Sequence, residues 1–230
     1  MPWGFLAVLV AIGAINAVAV VFGTDMDGSK TFISTAADQT SLMAFAANAM
    51  IIAGLFGAIA AAREYSHNTV VPTFLATPRR IRAVLAQLAG VLIGGGLLGL
   101  VGAGLTVVAV AVALPFTDYG FLVPAADVVR ILSASAFTGA AGAVLGAGIG
   151  ALVRNTGGAV TGDVLVLIVA PPLAMQLAPG AASWVPTTLS NVLSGVTDQV
   201  TVFAALAALA VWALVPAFIG LISVERRDVV

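Results

Sequence analysis

The chain has 230 residues, of which 61% are hydrophobic and only 8% are charged, and its mean hydropathy is +1.14. Soluble domains contain about 45–50% apolar and about 25% charged residues, so this composition excludes a water-soluble fold of this size. The absence of cysteine excludes disulfides, thiolate catalysis and cysteine metal sites. The net charge of −1 is uninformative, because the charges divide between two faces.

Six apolar runs follow one another along the chain, and each is long enough to cross a bilayer as a helix. Continuous apolarity without alternation excludes barrel strands, and only a helix or a closed barrel satisfies its backbone in lipid. The first run lacks the basic start and cleavage site of a signal peptide, so we interpret it as a retained span. The predicted spans are Trp3–Phe22, Leu42–Ala62, Ala83–Leu114, Val128–Val153, Gly157–Leu177 and Thr201–Val224. The sequence therefore predicts an all-α polytopic membrane protein with one transmembrane domain over residues 1–230.

Basic residues predict the orientation of these six spans. Most of them fall on one face, which the positive-inside rule makes cytoplasmic, and an even number of spans then puts both termini in the cytoplasm. We expect a multi-pass protein of the inner (cytoplasmic) cell membrane. The basic residues on the predicted cytoplasmic face are Arg63, Arg79, Arg80, Arg82, Arg154, Arg226 and Arg227.

Two features of the later spans concern packing. Gly142, Gly146 and Gly150 are four residues apart, so they share one helix face that allows close approach of another helix. That face either packs within one bundle or forms an interface with a second subunit. Further along, Pro171 and Pro172 are expected to interrupt the fifth span, since proline removes a helix hydrogen bond. We interpret the stretch that follows, up to the sixth span, as a broken, partly re-entrant outer segment, with a plain loop as the alternative.

The longest connection on the basic face, residues 63–80, carries the most specific pattern in the chain. Asn68 or Thr69 is suited to cap a helix, and Pro72 is tolerated because it falls in the first turn. The pattern predicts a short amphipathic helix. On physical grounds alone, this helix either rests on lipid head groups or docks into a groove of a soluble partner. Its apolar stripe is formed by Val70, Val71, Phe74 and Leu75.

The same segment resembles a signature of type-two ABC-transporter permeases. That family's Glu-Tyr-x-His-Gly-Thr and Leu-Leu-Ala-Thr-Pro-x-Arg are matched by Glu64-Tyr65-Ser66-His67-Asn68-Thr69 and Phe74-Leu75-Ala76-Thr77-Pro78-Arg79-Arg80. Further matches are Arg154-Asn155-Thr156 and the tail Glu225-Arg226-Arg227-Asp228-Val229, so the resemblance runs from the second span to the tail. There are two departures. Asn68 stands where the family often has glycine. Family members usually carry a basic amphipathic helix before the first span, whereas this sequence reaches its first predicted span at Trp3, so either the chain begins late or the protein does without that helix.

The resemblance implies a permease subunit of an ATP-binding-cassette exporter that has no catalytic site or cofactor of its own. Its implied partners are a second permease subunit, the same or homologous, and two cytoplasmic ATPase subunits that bind ATP and magnesium; no nucleic acid is expected. An amphipathic or hydrophobic substrate would move outward between the permeases, and the outer segment would cap its path. The helix from Thr69 to Ala76 would be the coupling helix. The coupling residues would be Arg63, Glu64, Thr69, Val70, Val71, Phe74, Leu75, Arg79 and Arg80.

Asp163 is a carboxylate deep within a predicted span, roughly 13 Å along the helix past Arg154. A carboxylate at such depth is costly unless it pairs, protonates or meets water. We interpret it either as part of the substrate path or gate, or as a structural hydrogen-bonding group. Asn48 and Asn16 are weaker candidates of the same kind. Asp163 is also the one buried charge that an alternative function, an ATP-independent secondary carrier or channel, would need.

Enzymatic functions find little support in the sequence. An aspartyl intramembrane protease needs two carboxylates that share a proton, and no second intramembrane aspartate accompanies Asp163. The segment from Gly23 to Thr31 looks superficially like a phosphate-binding loop, but its spacing is one residue too long and it presents two aspartates to the anion.

Overall fold

A computed structural model describes residues 2–25, 28–66 and 80–226, and this part of the chain is helical with no strand. Six stretches are long and apolar enough to cross a membrane, which confirms the predicted number of spans. Most span ends agree with the prediction within a few residues. The helices are α1 (Pro2–Phe22), α2 (Ala36–Ala46), α3 (Met50–Ser66), α4 (Arg80–Ala113), α5 (Ala125–Val153), α6 (Thr156–Val164), α7 (Ala170–Leu177), α8 (Pro179–Ala182), α9 (Pro186–Ser194) and α10 (Val202–Arg226).

Helix α5 is the centre of the bundle, and α3, α4 and α10 pack around it. Many of its residues are small (Gly, Ala and Ser), so the backbones of neighbouring helices approach it closely on three sides. An added Cβ at Gly146 would collide with α3, one at Gly139 with α4, and one at Gly148 with α10. Apolar burial does not drive association in lipid, where close van der Waals packing of small residues takes its place. The glycines of α5 therefore explain why this helix is central.

Large apolar side chains cover the outside of the bundle. Trp3 on α1, Ile93 on α4 and Phe203 on α10 are exposed, and each belongs to a helix with many similar exposed residues. In water such surfaces would drive aggregation, whereas in a bilayer they contact acyl chains. Together with the six apolar spans, they define a multi-pass α-helical membrane protein.

The second span differs from the prediction. The sequence predicted one helix over Leu42–Ala62, but the structure has two, α2 and α3, separated by residues 47–49. The break is stabilised by tertiary contacts. The hydroxyl of Ser135 donates to the carbonyl oxygen of Ala47 at 3.1 Å, and Oδ1 of Asn48 accepts from the backbone N–H of Met50 at 3.2 Å. The polar groups that the break frees are therefore satisfied inside the protein, as lipid requires.

The fifth span also differs. Pro171 and Pro172 were expected to interrupt it, but the helical path continues to Leu177. Five residues, Leu165–Val169, form a π-helical turn, and the two prolines then occupy the first turn of α7. Proline lacks the N–H that would bond to the preceding turn, and its ring crowds a carbonyl group of that turn. A widened turn, without a break, accommodates the pair.

The connection from α1 to α2 folds around its own polar groups. A carboxylate oxygen of Asp25 accepts from the backbone N–H of Thr31 at 2.8 Å and from its hydroxyl. The ammonium group of Lys30 donates to the carbonyl oxygens of Val20 and Val21, at the end of α1 where the helix dipole favours a cation. Asp25 and Lys30 of the phosphate-loop-like segment thus bond to groups of the protein itself.

Candidate functional site

The segment with the permease-like signature joins two helices at one end of the bundle. Arg63 and Glu64 lie half-buried in the last turn of α3, and α4 begins at Arg80. The predicted coupling residues Thr69, Val70, Val71, Phe74, Leu75 and Arg79 lie outside the described residues, as does the predicted short helix. We call this end the arginine-rich end: α3, α5 and α10 finish there, and α4 and α6 begin there.

Arg154 lies where α5, α6 and α10 meet at the arginine-rich end. It caps α5 in the left-handed region, with φ of 57°, a conformation that costs a non-glycine residue about 1–2 kcal/mol. Its guanidinium group donates to the carbonyl oxygen of Ser223 at 3.1 Å, near the end of α10 where carbonyls carry partial negative charge. The next residue, Asn155, caps α6 by accepting from the backbone N–H of Gly158 at 2.7 Å. The sequence Arg-Asn-Thr therefore forms a turn that positions α6.

The glycine stripe of α5 lies against α3 of the same chain. An added Cβ at Gly142 would meet the carbonyl oxygen of Met50, one at Gly146 that of Gly54, and one at Gly150 that of Ala58. Of the two interpretations of this stripe, the structure thus shows packing within one bundle. A stripe of glycines predicts a close helix contact without naming the partner, and here the partner is α3.

Asp163 is the second-last residue of α6, just before the π-helical turn, and it is fully buried. Its carboxylate faces the backbone of α3: an added Cβ at Gly54 would lie 2.7 Å from one carboxylate oxygen and 2.8 Å from the other. Neither oxygen has a hydrogen-bond partner among the described residues. The structural hydrogen bond to a neighbouring Ser, Thr, Asn or Arg, which the sequence offered as an alternative, is not found there. Gly54 therefore lies between Gly146 of α5 and the carboxylate of α6.

Asn48 belongs to the break in the second span. Its side-chain N–H donates to the side-chain oxygen of Asn191 in α9 at 3.3 Å, in addition to the cap that it provides for α3. Asn16, by contrast, donates to the carbonyl oxygen of Ile12, one turn earlier in its own helix. The structure therefore places Asn48 at a junction of helices, whereas Asn16 is satisfied locally.

The outer segment after α7 packs onto the bundle through α9. Leu189, Val192 and Leu193 of α9 are buried. The guanidinium group of Arg130 donates to the carbonyl oxygen of Leu193 at 3.3 Å, and it lies against Gly195, which ends α9 with φ of +85°. A cation at the carboxyl end of a helix is favoured by the helix dipole.

Sequence reasoning missed Asn191 and Arg130 as contacts of this outer segment. The signal available was Pro186, a residue suited to the first turn of a helix, followed eight residues later by Ser194 and a glycine. That pattern predicts α9 itself. It does not predict that Asn191 meets Asn48, because the two are 143 positions apart in sequence.

Two apolar grooves run along α4. One, of about 380 Å³, lies between α1, α3 and α4 and is lined by Phe5, Phe56 and Leu97 among others. The other, of about 480 Å³, lies between α4 and α10 beside Leu85 and Phe218. Because apolar side chains line both grooves, the grooves suit acyl chains or other apolar molecules.

Within the part of the chain that the structure describes, no group of three or more His, Cys, Asp or Glu side chains is placed to hold a metal ion.

The fold and these sites place the chain in the class of multi-pass helical membrane proteins. No family model, curated protein or solved structure matches the chain.

Proposed function

We propose that this chain is the membrane-spanning permease subunit of an ATP-binding-cassette exporter. Its motor would be two separate cytoplasmic ATPase subunits that bind ATP and magnesium, and a second permease subunit would complete the complex. The chain itself would carry no catalytic residue. It would reside in the inner cell membrane with both termini in the cytoplasm.

One observation carries this proposal: the signature segment of residues 64–80 connects two adjacent spans at the arginine-rich end. The described structure supports the position, because α3 ends at Ser66, α4 begins at Arg80, and both helices pack against the central α5. A force applied to the residues between them would act directly on the helices that form the core. That position suits a segment that couples a motor to the bundle.

Two further features support a transport role. The surfaces along α4 offer apolar grooves, which favour an amphipathic or hydrophobic substrate. The outer segment is held by contacts to separate spans, Asn48 to Asn191 and Arg130 to Leu193. The buried apolar side chains of α9 also hold this segment on the bundle, as a segment that caps the substrate path requires.

The alternative function is an ATP-independent carrier or channel, and the burial of Asp163 favours it. A carrier coupled to protons or cations needs an ionisable group in the membrane, and Asp163 is fully buried within a span. The two functions differ in their energy source. Transport that needs ATP and a separate ATPase supports the exporter, whereas transport driven by a proton or sodium gradient without ATP supports the carrier.

The coupling role is tested by a charge in the predicted apolar stripe. Phe74→Asp or Leu75→Asp should weaken docking onto the ATPase by about 2 kcal/mol or more, which corresponds to over tenfold in affinity. Export in vesicles that contain the ATPase should then fall while ATP hydrolysis and membrane insertion persist. Thr73→Asp is the matched control, since it adds the same charge off the stripe and should leave export intact. Normal export by both stripe variants would contradict the coupling role.

A further inference from the structure

The carboxylate of Asp163 occupies an unusual position in the molecule. It is fully buried, neither of its oxygens has a hydrogen-bond partner among the described residues, and it lies seven residues inside its span. Within the described spans, every other ionisable side chain lies within five residues of a span end. Asp163 is therefore the deepest ionisable group that the structure describes.

No cation faces this carboxylate from the helices packed most closely on α6, which are α3 and α5. The ionisable groups described on α3, Arg63 and Glu64, lie nine and ten residues beyond Gly54, roughly 14 Å away along the helix. At the near end of α5, the guanidinium group of Arg154 is turned towards Ser223 of α10. The other ionisable groups of α5, Asp127 and Arg130, are at its opposite end. Gly54 and Leu167 lie close to the carboxylate.

A buried carboxylate can be stabilised by a cationic partner, by water or by a proton. The described helices supply no cation, and Gly54 approaches so closely that even a single added carbon would lie 2.7 Å from a carboxylate oxygen. A proton needs no additional space. We propose that Asp163 is a proton-binding site, which holds a proton while α3 packs against α6 and releases it when the two helices separate.

This site links the packing of α3 on α6 to pH. The packed state binds one more proton than the separated state, so raising the pH favours separation. A single linked proton shifts the equilibrium by up to about tenfold per pH unit, once the pH is high enough for the exposed carboxyl to ionise. The proposal goes beyond the motor-driven function and does not depend on it, because the proton and both helices belong to this chain.

Infrared spectroscopy of the purified chain in nanodiscs of ether lipids, which have no ester carbonyl band, tests the protonation directly. A protonated carboxyl group has a carbonyl stretching band that a carboxylate lacks. At neutral pH the wild-type chain should show such a band, and Asp163→Asn should lose it, whereas Glu64→Gln should keep it. Absence of any such band from the wild-type chain at neutral pH would overturn the proposal, and so would a band that persists in Asp163→Asn.

A second measurement follows the separation of the helices. The chain has no cysteine, and the buried Ala159 of α6 packs against Ala58 and Ala62 of α3, so Ala159→Cys places a single thiol in the contact. The rate of its alkylation is compared, at each pH, with the rate in the Asp163→Asn background, which cancels the pH dependence of the thiol itself. The ratio should rise with pH, by up to about tenfold per unit. A ratio that stays constant would overturn the linkage. Neither measurement uses an ATPase, so failure here leaves the proposed function untouched.

Discussion

The central helix α5 and the peripheral helix α1 are both long and apolar enough to cross a membrane, yet they are held in different ways. In the most apolar stretch of α5, 61% of the residues are buried, against 17% in α1. Glycines of α5 meet the backbones of three neighbours, whereas Gly13 of α1 makes only ordinary contact with Leu105 of α4. Hydropathy therefore locates a span along the chain but does not determine its place in the bundle. Small residues determine that place, because they decide how closely backbones approach.

The largest effect is expected where α5 touches α3. In Gly146→Ala, the added methyl group would collide with the carbonyl oxygen of Gly54, which cannot move without shifting the helix. Such overpacking destabilises by about 1–3 kcal/mol. The loss should appear as a lower free energy of unfolding in mixed micelles. Gly13→Ala on α1 is the matched control: its methyl group would lie 3.5 Å from the Leu105 carbonyl oxygen, so stability should be unchanged or slightly higher. An equal loss of unfolding free energy in the two variants would contradict the difference in packing between α5 and α1.

A smaller effect is expected where α1 meets α4. In Gly102→Ala, the added methyl group would lie 2.8 Å from a terminal carbon of Leu9, the flexible end of a side chain. Leu9 can change rotamer, at a cost of order 0.5–1.5 kcal/mol if it is driven away from a favoured one. Under the same conditions, the loss should therefore lie between those of Gly146→Ala and Gly13→Ala. A loss as large as that of Gly146→Ala would show that α1 is held as tightly as α5.

The six spans could be predicted from the sequence, but the break in the second span and the widened turn in the fifth could not. Hydropathy predicted six spans because each satisfies its backbone internally, a local property. The break at Asn48 depends on Ser135 and Asn191, which are far away in sequence, so a local pattern could not reveal it. Pro171 and Pro172 predicted an interruption, but the turn before them widened instead.

The candidate site, too, could be predicted only in part from the sequence. The depth of Asp163 followed from its place in an apolar run. That its oxygens have no hydrogen-bond partner among the described residues depends on which residues of α3 and α5 face it. The glycine stripe predicted a close contact, and only the structure identified α3 as the partner. The coupling residues from Thr69 to Arg79 lie outside the described residues, so their role stays a prediction from the sequence signature.

The proposed function requires residues 69–76 to bind a separate ATPase, and cysteine cross-linking in membranes tests this binding. Because the chain has no cysteine, a single cysteine at each of positions 70 to 76 is the only thiol of this chain. Phe203→Cys, on the exposed face of α10, serves as the lipid-facing control. We expect some of these positions to capture an ATP-hydrolysing polypeptide, identified by mass spectrometry, and the control to capture none. If all seven positions capture only phospholipid, the claim is contradicted.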